Sequence, residues 1–149
     1  AIKKSGCLYL IIRTAWLYSG YGHNFVKTIS RLASERDELN VVNDQWGTPT
    51  YAGDLAEAII RIMERDDLPE LEGVYHFTNE GACTWYDFAK EIVAITGAKC
   101  KVNPVTTGEY PSKAKRPAYS ILDKTKIKET FDLEIRDWRE ALKSCMATF

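Results

Sequence analysis

Short β-favouring runs alternate with segments of helical apolar period along this chain, and that alternation restricts it to a small set of folds. The first run, Leu8-Tyr9-Leu10-Ile11-Ile12-Arg13, is unbroken by turn residues, as suits a strand covered on both faces in a parallel sheet. Asn24 is placed to cap a helix from Phe25 to about Asp37, with Phe25, Ile29, Leu32 and Ala33 on one apolar face. Leu39 to Val42 reads as a strand, broken by Gly47-Thr48-Pro49-Thr50. A second helix starts at Asp54 or just before it, with Leu55, Ala58, Ile59, Ile62 and Met63 inward. The acidic stretch from Glu64 to Glu72 reads as a solvated loop around Pro69, and Gly73 to Thr78 as a third strand. Thr84-Trp85-Tyr86-Asp87 has the form of a capping box, with Asp in place of Glu. Its helix runs to about Thr96, with Trp85, Phe88, Ala89, Ile92 and Ile95 inward, and Gly97 stops it. Lys101 to Val105 is a last strand. A long loop from Thr106 to Arg116 precedes two helical pieces, about Lys124 to Thr130 and Asp137 to Met146. The order β-α-β-α-β-α-β specifies an α/β domain with parallel pairing, and the absence of a repeat or linker makes residues 1–149 a single unit.

Composition excludes several classes of function. With 20 basic and 21 acidic side chains the net charge is −1, without the basic excess of a general nucleic-acid binder. A hydrophobic content of 45% argues against disorder. The longest apolar run, Cys7 to Ile12, is far short of the ~20 residues that span a bilayer. No signal-peptide pattern opens the chain, so no membrane partner and a cytoplasmic setting are expected. Cys7, Cys83, Cys100 and Cys145 form no C-x-x-C pair, and His23 and His76 lie far apart. Four free thiols in a reducing compartment are expected, with no zinc and no disulfide framework.

Familiar catalytic motifs are missing. There is no G-x-G-x-x-G, Gly20-Tyr21-Gly22 lacking the third glycine, and no Walker loop, G-x-S-x-G or H-E-x-x-H. Tyr86 and Lys90 form a Y-x-x-x-K, the spacing by which short-chain dehydrogenases place a proton donor and its lysine on one helix face. Phe88 and Ala89 between them belong to the buried stripe, which turns Tyr86 and Lys90 to solvent and away from catalysis.

Three stretches carry more. In Arg13 to Tyr18, followed by Gly22-His23-Asn24-Phe25, a strand end leads to a helix N-terminus, where open α/β sheets hold ligands. Trp16 offers a flat apolar surface there, or is core, and Asn24 is a ligand contact or only a cap. Asn43 to Tyr51 gathers amides, Trp46, Gly47 and Pro49 in one loop, able to read and stack on a base or simply a decorated turn. Lys113, Lys115 and Arg116 precede a Pro-fixed extended segment, and such a cluster neutralises a diphosphate or is a solvated loop.

Taken in order, R-T-A-W-L-Y, H-N-F-V-K-T-I, N-D-Q-W-G-T-P-T-Y-A-G-D-L-A, G-V-Y-H-F-T-N-E-G-A-C-T-W-Y-D-F-A and R-P-A-Y-S-I-L-D resemble the dTDP-4-dehydrorhamnose reductases, a family of the extended short-chain dehydrogenase/reductase superfamily. The resemblance covers nearly the whole chain and aligns with the C-terminal half of that family. It implies the C-terminal part of a Rossmann-like fold with the substrate-binding subdomain. A complete member would carry a glycine-rich dinucleotide turn and the catalytic Thr/Ser, Tyr and Lys before Ala1, so the chain is expected to be a fragment inactive alone, with no catalytic residue of its own. The intact enzyme would reduce the 4-keto group of a dTDP-6-deoxy-4-keto-hexose with NADPH or NADH, giving dTDP-L-rhamnose for surface polysaccharide. By resemblance Trp16 lines the sugar pocket and Asn24 reaches the diphosphate or sugar. Gln45, Thr48 and Pro49 border the nucleotide, Arg116 holds the diphosphate, and Thr14 and Ala15 lie near the nicotinamide. Mg²⁺ is a further expectation from the family, although no acidic cluster places it.

Two other readings keep the fold and change the role. One is a non-catalytic nucleotide-sugar-binding or regulatory protein of the same family. The other is a related sugar-nucleotide epimerase or dehydratase. A half fold exposes a strand edge and an apolar face, so self-association into a dimer or larger species is also expected.

Overall fold

Parallel pairing joins strands that lie far apart in the sequence. In the computed structural model, which describes residues 1–110 and 116–148, β1 (Leu10–Arg13) pairs with β6 (Gly73–His76), with Leu10 opposite Gly73 and Arg13 opposite His76. β2 (Leu17–Tyr18) pairs with β5 (Thr50–Tyr51). β3 (Glu38–Val42) pairs with β8 (Lys101–Val105) over its full length. A short antiparallel pair joins β4 (Trp46–Gly47) to β7 (Cys83–Thr84). Five helices complete the unit: α1 (Phe25–Glu35), α2 (Ala52–Met63), α3 (Trp85–Thr96), α4 (Thr125–Phe131) and α5 (Trp138–Met146). Parallel strands require crossovers, and helices supply them: α2 lies within the connection from β1 to β6, and α3 within that from β3 to β8.

Local chemistry sets the helix ends as the sequence implies. Asn24 accepts from the Lys27 backbone N–H at 3.1 Å and opens α1. Thr84 and Asp87 exchange reciprocal hydrogen bonds at the start of α3, so Asp closes a capping box that usually holds Glu. Gly97 ends α3 at φ +69°, a left-handed turn that glycine adopts without strain.

Two apolar clusters form the core. One packs α1, α3, α5 and β3 through Val26, Ile29, Leu39, Phe88, Ile92 and Trp138. The other packs α2, β6 and α4 through Ala58, Ile62, Tyr75, Phe77, Ile127 and Phe131. A buried polar network stands at the start of α2. Asn79, with no exposure, accepts from the Tyr51 N–H at 2.8 Å and donates to Asp54 at 2.6 Å. Arg136 closes on the same carboxylate with two hydrogen bonds, 2.9 and 2.6 Å. The carboxylate sits in the first turn of α2, where the helix dipole favours negative charge.

Several expectations are corrected. Ile59 and Met63 do not face inward: they are 37% and 70% exposed, and only Leu55, Ala58 and Ile62 of that set pack on the core. α2 is apolar around most of its circumference, so its period could not say which stripe would be covered. β1 is not covered on both faces: Leu10, Ile11 and Ile12 are only half-buried and Arg13 is exposed. The acidic stretch holds a 3-10 turn, Leu68–Leu71, with Pro69 in its first turn. The last two helices start one residue later than expected, after Lys124 and Asp137. Among the described residues no helix is long and apolar enough to cross a membrane.

All four cysteines are free; Cys7 is exposed and the other three are buried. Burial pushes the Cys83 thiol up to about 12 and that of Cys145 up to about 11, and raises Cys100 as well. Since the thiolate is the reactive form, a maleimide at neutral pH is expected to label Cys7 alone in the folded chain and all four in denaturant, read by mass spectrometry. Replacing Asn79→Ala strands the Tyr51 N–H and removes one of the hydrogen bonds to the Asp54 carboxylate, which Arg136 still holds, and is expected to cost about 1–3 kcal/mol in urea unfolding.

Candidate functional site

A groove of about 580 Å³ opens between α1 and β3. Ile29 and Leu32 from the helix and Leu39 and Val41 from the strand line its apolar part, and Phe25 and Trp85 add aromatic surface. Its remaining wall is polar: Gln45, Thr107, Tyr110 and Arg116. It runs to the C-terminal end of β3, where parallel strands of α/β folds present their ligands.

Stacked aromatic rings build the apolar end. Trp16 lies on Trp85 with ring centroids 3.6 Å apart and planes 16° from parallel, and Phe25 meets Trp85 at 4.7 Å. Trp16 takes φ +49°, a conformation that costs a residue with a Cβ. Two hydrogen bonds from Thr50 hold it there: the Thr50 N–H to the Trp16 carbonyl at 3.1 Å, and the Thr50 hydroxyl to the Ala15 carbonyl at 2.7 Å. Gly47 makes room for the indole, since a Cβ there would stand 2.5 Å from two of its ring carbons.

Hydrogen bonds between distant loops build the polar end. The Asp44 carboxylate accepts from the Thr107 N–H at 3.0 Å and from its hydroxyl at 2.6 Å, and these bonds hold the Asp44 carboxyl below its ordinary range. Gln45 donates through Nε2 to the same hydroxyl at 3.0 Å. Beyond Arg116 the chain is pinned along β4: the Trp46 N–H donates to the Ala118 carbonyl at 2.8 Å, and the Ser120 N–H to the Trp46 carbonyl at 2.9 Å. That pinning brings the exposed Arg116 guanidinium to the groove.

Of the residues singled out in the sequence, Gln45 and Arg116 meet at this groove. Trp16 does not line it and instead stands behind Trp85. Asn24 is spent on its own loop, its amide nitrogen donating to the Ser19 and Tyr21 carbonyls at 2.8 and 3.4 Å while its oxygen caps α1. Thr48 is fully buried with its hydroxyl on the Gly81 carbonyl at 2.8 Å, and Pro49 is buried beside it; both brace the turn from beneath. Thr14 is exposed just beyond the C-terminal end of β1, its hydroxyl 3.2 Å from that of Thr50, with Ala15 next to it. Lys113 and Lys115 lie outside the described residues.

Tyr86 and Lys90 do share a face, with the ammonium 5.3 Å from the ring centroid. Lys90 is exposed, whereas Tyr86 is half-buried against the core, not turned wholly to solvent. Neither lines the groove. Among the described residues no three His, Cys, Asp or Glu side chains converge to hold a metal.

Sequence reasoning missed Thr107 and Tyr110 as site residues, and treated Phe25 and Trp85 as core alone. Aromatic residues in a helix's first turn were the available signal for the latter pair. For Thr107 the only signal was its place in the long loop from Thr106 to Arg116, long loops often being binding loops, since its partners lie more than 60 residues away. A Gly47→Ala substitution drives a methyl into the Trp16 ring. It is expected to lower stability by about 1–3 kcal/mol in thermal or urea unfolding.

The RmlD substrate binding domain family matches residues 1–149. The dTDP-4-dehydrorhamnose reductase of Aggregatibacter actinomycetemcomitans is 47% identical over 93% of this chain and 50% of its own length. The spore coat polysaccharide biosynthesis protein SpsK of Bacillus subtilis strain 168 is 46% identical over 89% of this chain and 45% of its own. The crystal structure of dTDP-4-dehydrorhamnose reductase from Bacillus anthracis strain Ames, in complex with NADP, superposes with a TM-score of 0.92 at 40% identity, covering 99% of this chain and 51% of that one. The chain thus spans about half the length of the relatives it matches.

Proposed function

The chain belongs to the RmlD substrate binding domain family, and on that footing we propose that it is the sugar-nucleotide grip of a dTDP-4-dehydrorhamnose reductase. The observation that carries this reading is the groove itself, where Gln45, Arg116 and the Phe25–Trp85 aromatic surface share one opening. An aromatic face accepts a base, a buried amide reads a polar edge, and an exposed guanidinium neutralises a diphosphate through paired N–H donors.

In the whole protein the reaction reduces a 4-keto group on a dTDP-linked deoxysugar, within polysaccharide biosynthesis. NADPH, when bound, supplies the hydride. The residues of this chain bind and orient. Thr14, exposed at the end of β1, suits a place at the edge of a cofactor, but this sequence holds no glycine-rich turn to cradle a dinucleotide. The described residues give Mg²⁺ no set of carboxylates, so magnesium has no part in the proposal.

Self-association belongs to the same reading, through Ile60 and Met63, which stand 57% and 70% exposed on α2. Sedimentation at micromolar concentration is expected to show a dimer or larger species that Ile60→Lys with Met63→Lys converts to monomer. For the grip, calorimetric titration of the chain with dTDP is expected to show binding that weakens about five- to tenfold on Arg116→Ala and falls with added salt. An unchanged affinity in that variant removes Arg116 from the site, and no binding by the unsubstituted chain overturns the reading.

A further inference from the structure

Gln45 sits in the groove wall with its amide orientation dictated by two residues acting in series. An ionised carboxylate only accepts hydrogen bonds, and Asp44, its carboxyl held low by Thr107, is ionised at neutral pH. The Thr107 hydroxyl spends its one proton on that carboxylate, at 2.6 Å. Its oxygen is left to accept from Gln45, 3.0 Å away. The group facing it must then be the amide nitrogen, because two acceptors would repel.

The amide oxygen is accordingly turned from Thr107, and no hydrogen bond from a described residue reaches it. It is not sealed in either: among the described residues the buried side-chain polar atoms without a partner are Tyr18 Oη and Trp138 Nε1. Gln45 as a whole is only 6% exposed, and it lines the groove.

We propose that the series Asp44–Thr107–Gln45 fixes a hydrogen-bond acceptor in the groove, and thereby selects a ligand that brings an uncharged donor to it. The donor is the imide N–H of a thymine-type base or a hydroxyl of the attached sugar. This rests on the nucleotide reading above and adds a polarity to it. A bare carbonyl oxygen repels phosphate, which leaves the diphosphate to Arg116. Cytosine presents a lone pair where thymine presents its imide N–H, and is rejected at the same point. Asp44 and Thr107 are positioning residues, since they act through Gln45.

The experiment titrates the full chain with dTDP, dCDP, dTDP methylated at the imide nitrogen, and dTDP-glucose. It compares the unsubstituted chain with Thr107→Val, which deletes the hydroxyl at constant size, and Thr107→Ser, which restores it. Thr107 is exposed, and thermal melts check that both variants fold. Where the base is the donor, the unsubstituted chain prefers dTDP about tenfold over both dCDP and the methylated nucleotide. Thr107→Val then brings the three within about threefold of one another, and Thr107→Ser restores the preference. Where a sugar hydroxyl is the donor, methylation has no effect, and Thr107→Val removes the added affinity of dTDP-glucose over dTDP while Thr107→Ser returns it. Binding of dTDP and dTDP-glucose that Thr107→Val leaves unaltered, or a loss that Thr107→Ser does not repair, overturns the inference alone. Failure of the unsubstituted chain to bind dTDP overturns the nucleotide reading and this inference with it.

Discussion

Thr48, Thr50 and Asn79 have no contact with solvent, and a polar side chain in that position must find its partner inside the protein. Each finds it on a different part of the chain: Thr48 on Gly81, Thr50 on Ala15, and Asn79 on Tyr51 and Asp54. These bonds hold the segment from Gln45 to Tyr51 against β2 on one side and β7 on the other. The left-handed turn at Trp16, the tryptophan stack it allows and the placing of Gln45 on the groove all depend on that segment staying where it is. Apolar packing supplies most of the stability of such a domain, but it is non-directional. The buried hydroxyls and amide supply the direction.

The groove is built by division of labour among elements of different rigidity. α1 and β3 are packed through the larger apolar cluster and present a fixed surface. The polar wall comes from loops held by a few short hydrogen bonds, Thr107 to the Asp44 loop and the segment after Arg116 to β4. Such an arrangement lets loop chemistry vary while the fold stays constant, which is how one architecture comes to serve several functions.

Elements were legible in the sequence wherever their determinants are local. Asn24, the Thr84–Asp87 box and Gly97 mark helix ends within a few residues, and β8 falls on Lys101–Val105 as expected. The inward face of α2 was not legible, since Ile59, Ile60 and Met63 continue its apolar character around to solvent. At the candidate groove, Gln45 and Arg116, which line it, stand out in the sequence because amide and guanidinium groups in loops are chemically conspicuous. Thr48 and Asn24 have the same look in sequence, yet their polar atoms are consumed by Gly81 and by the Ser19–Tyr21 loop. Which polar side chain is left to line a groove and which braces the backbone is decided by tertiary pairing, and Thr107 shows the same from the other side.

The Trp16–Trp85 stack has an optical consequence. Two indoles 3.6 Å apart and 16° from parallel share their excited states, so their near-ultraviolet absorption is that of a coupled pair and not the sum of two rings. One member of the pair lines the groove and the other is gripped by Gly47 and Thr50. The protein therefore carries an intrinsic chromophore whose circular dichroism is tied both to the integrity of the turn at Trp16 and to whatever lies against Trp85.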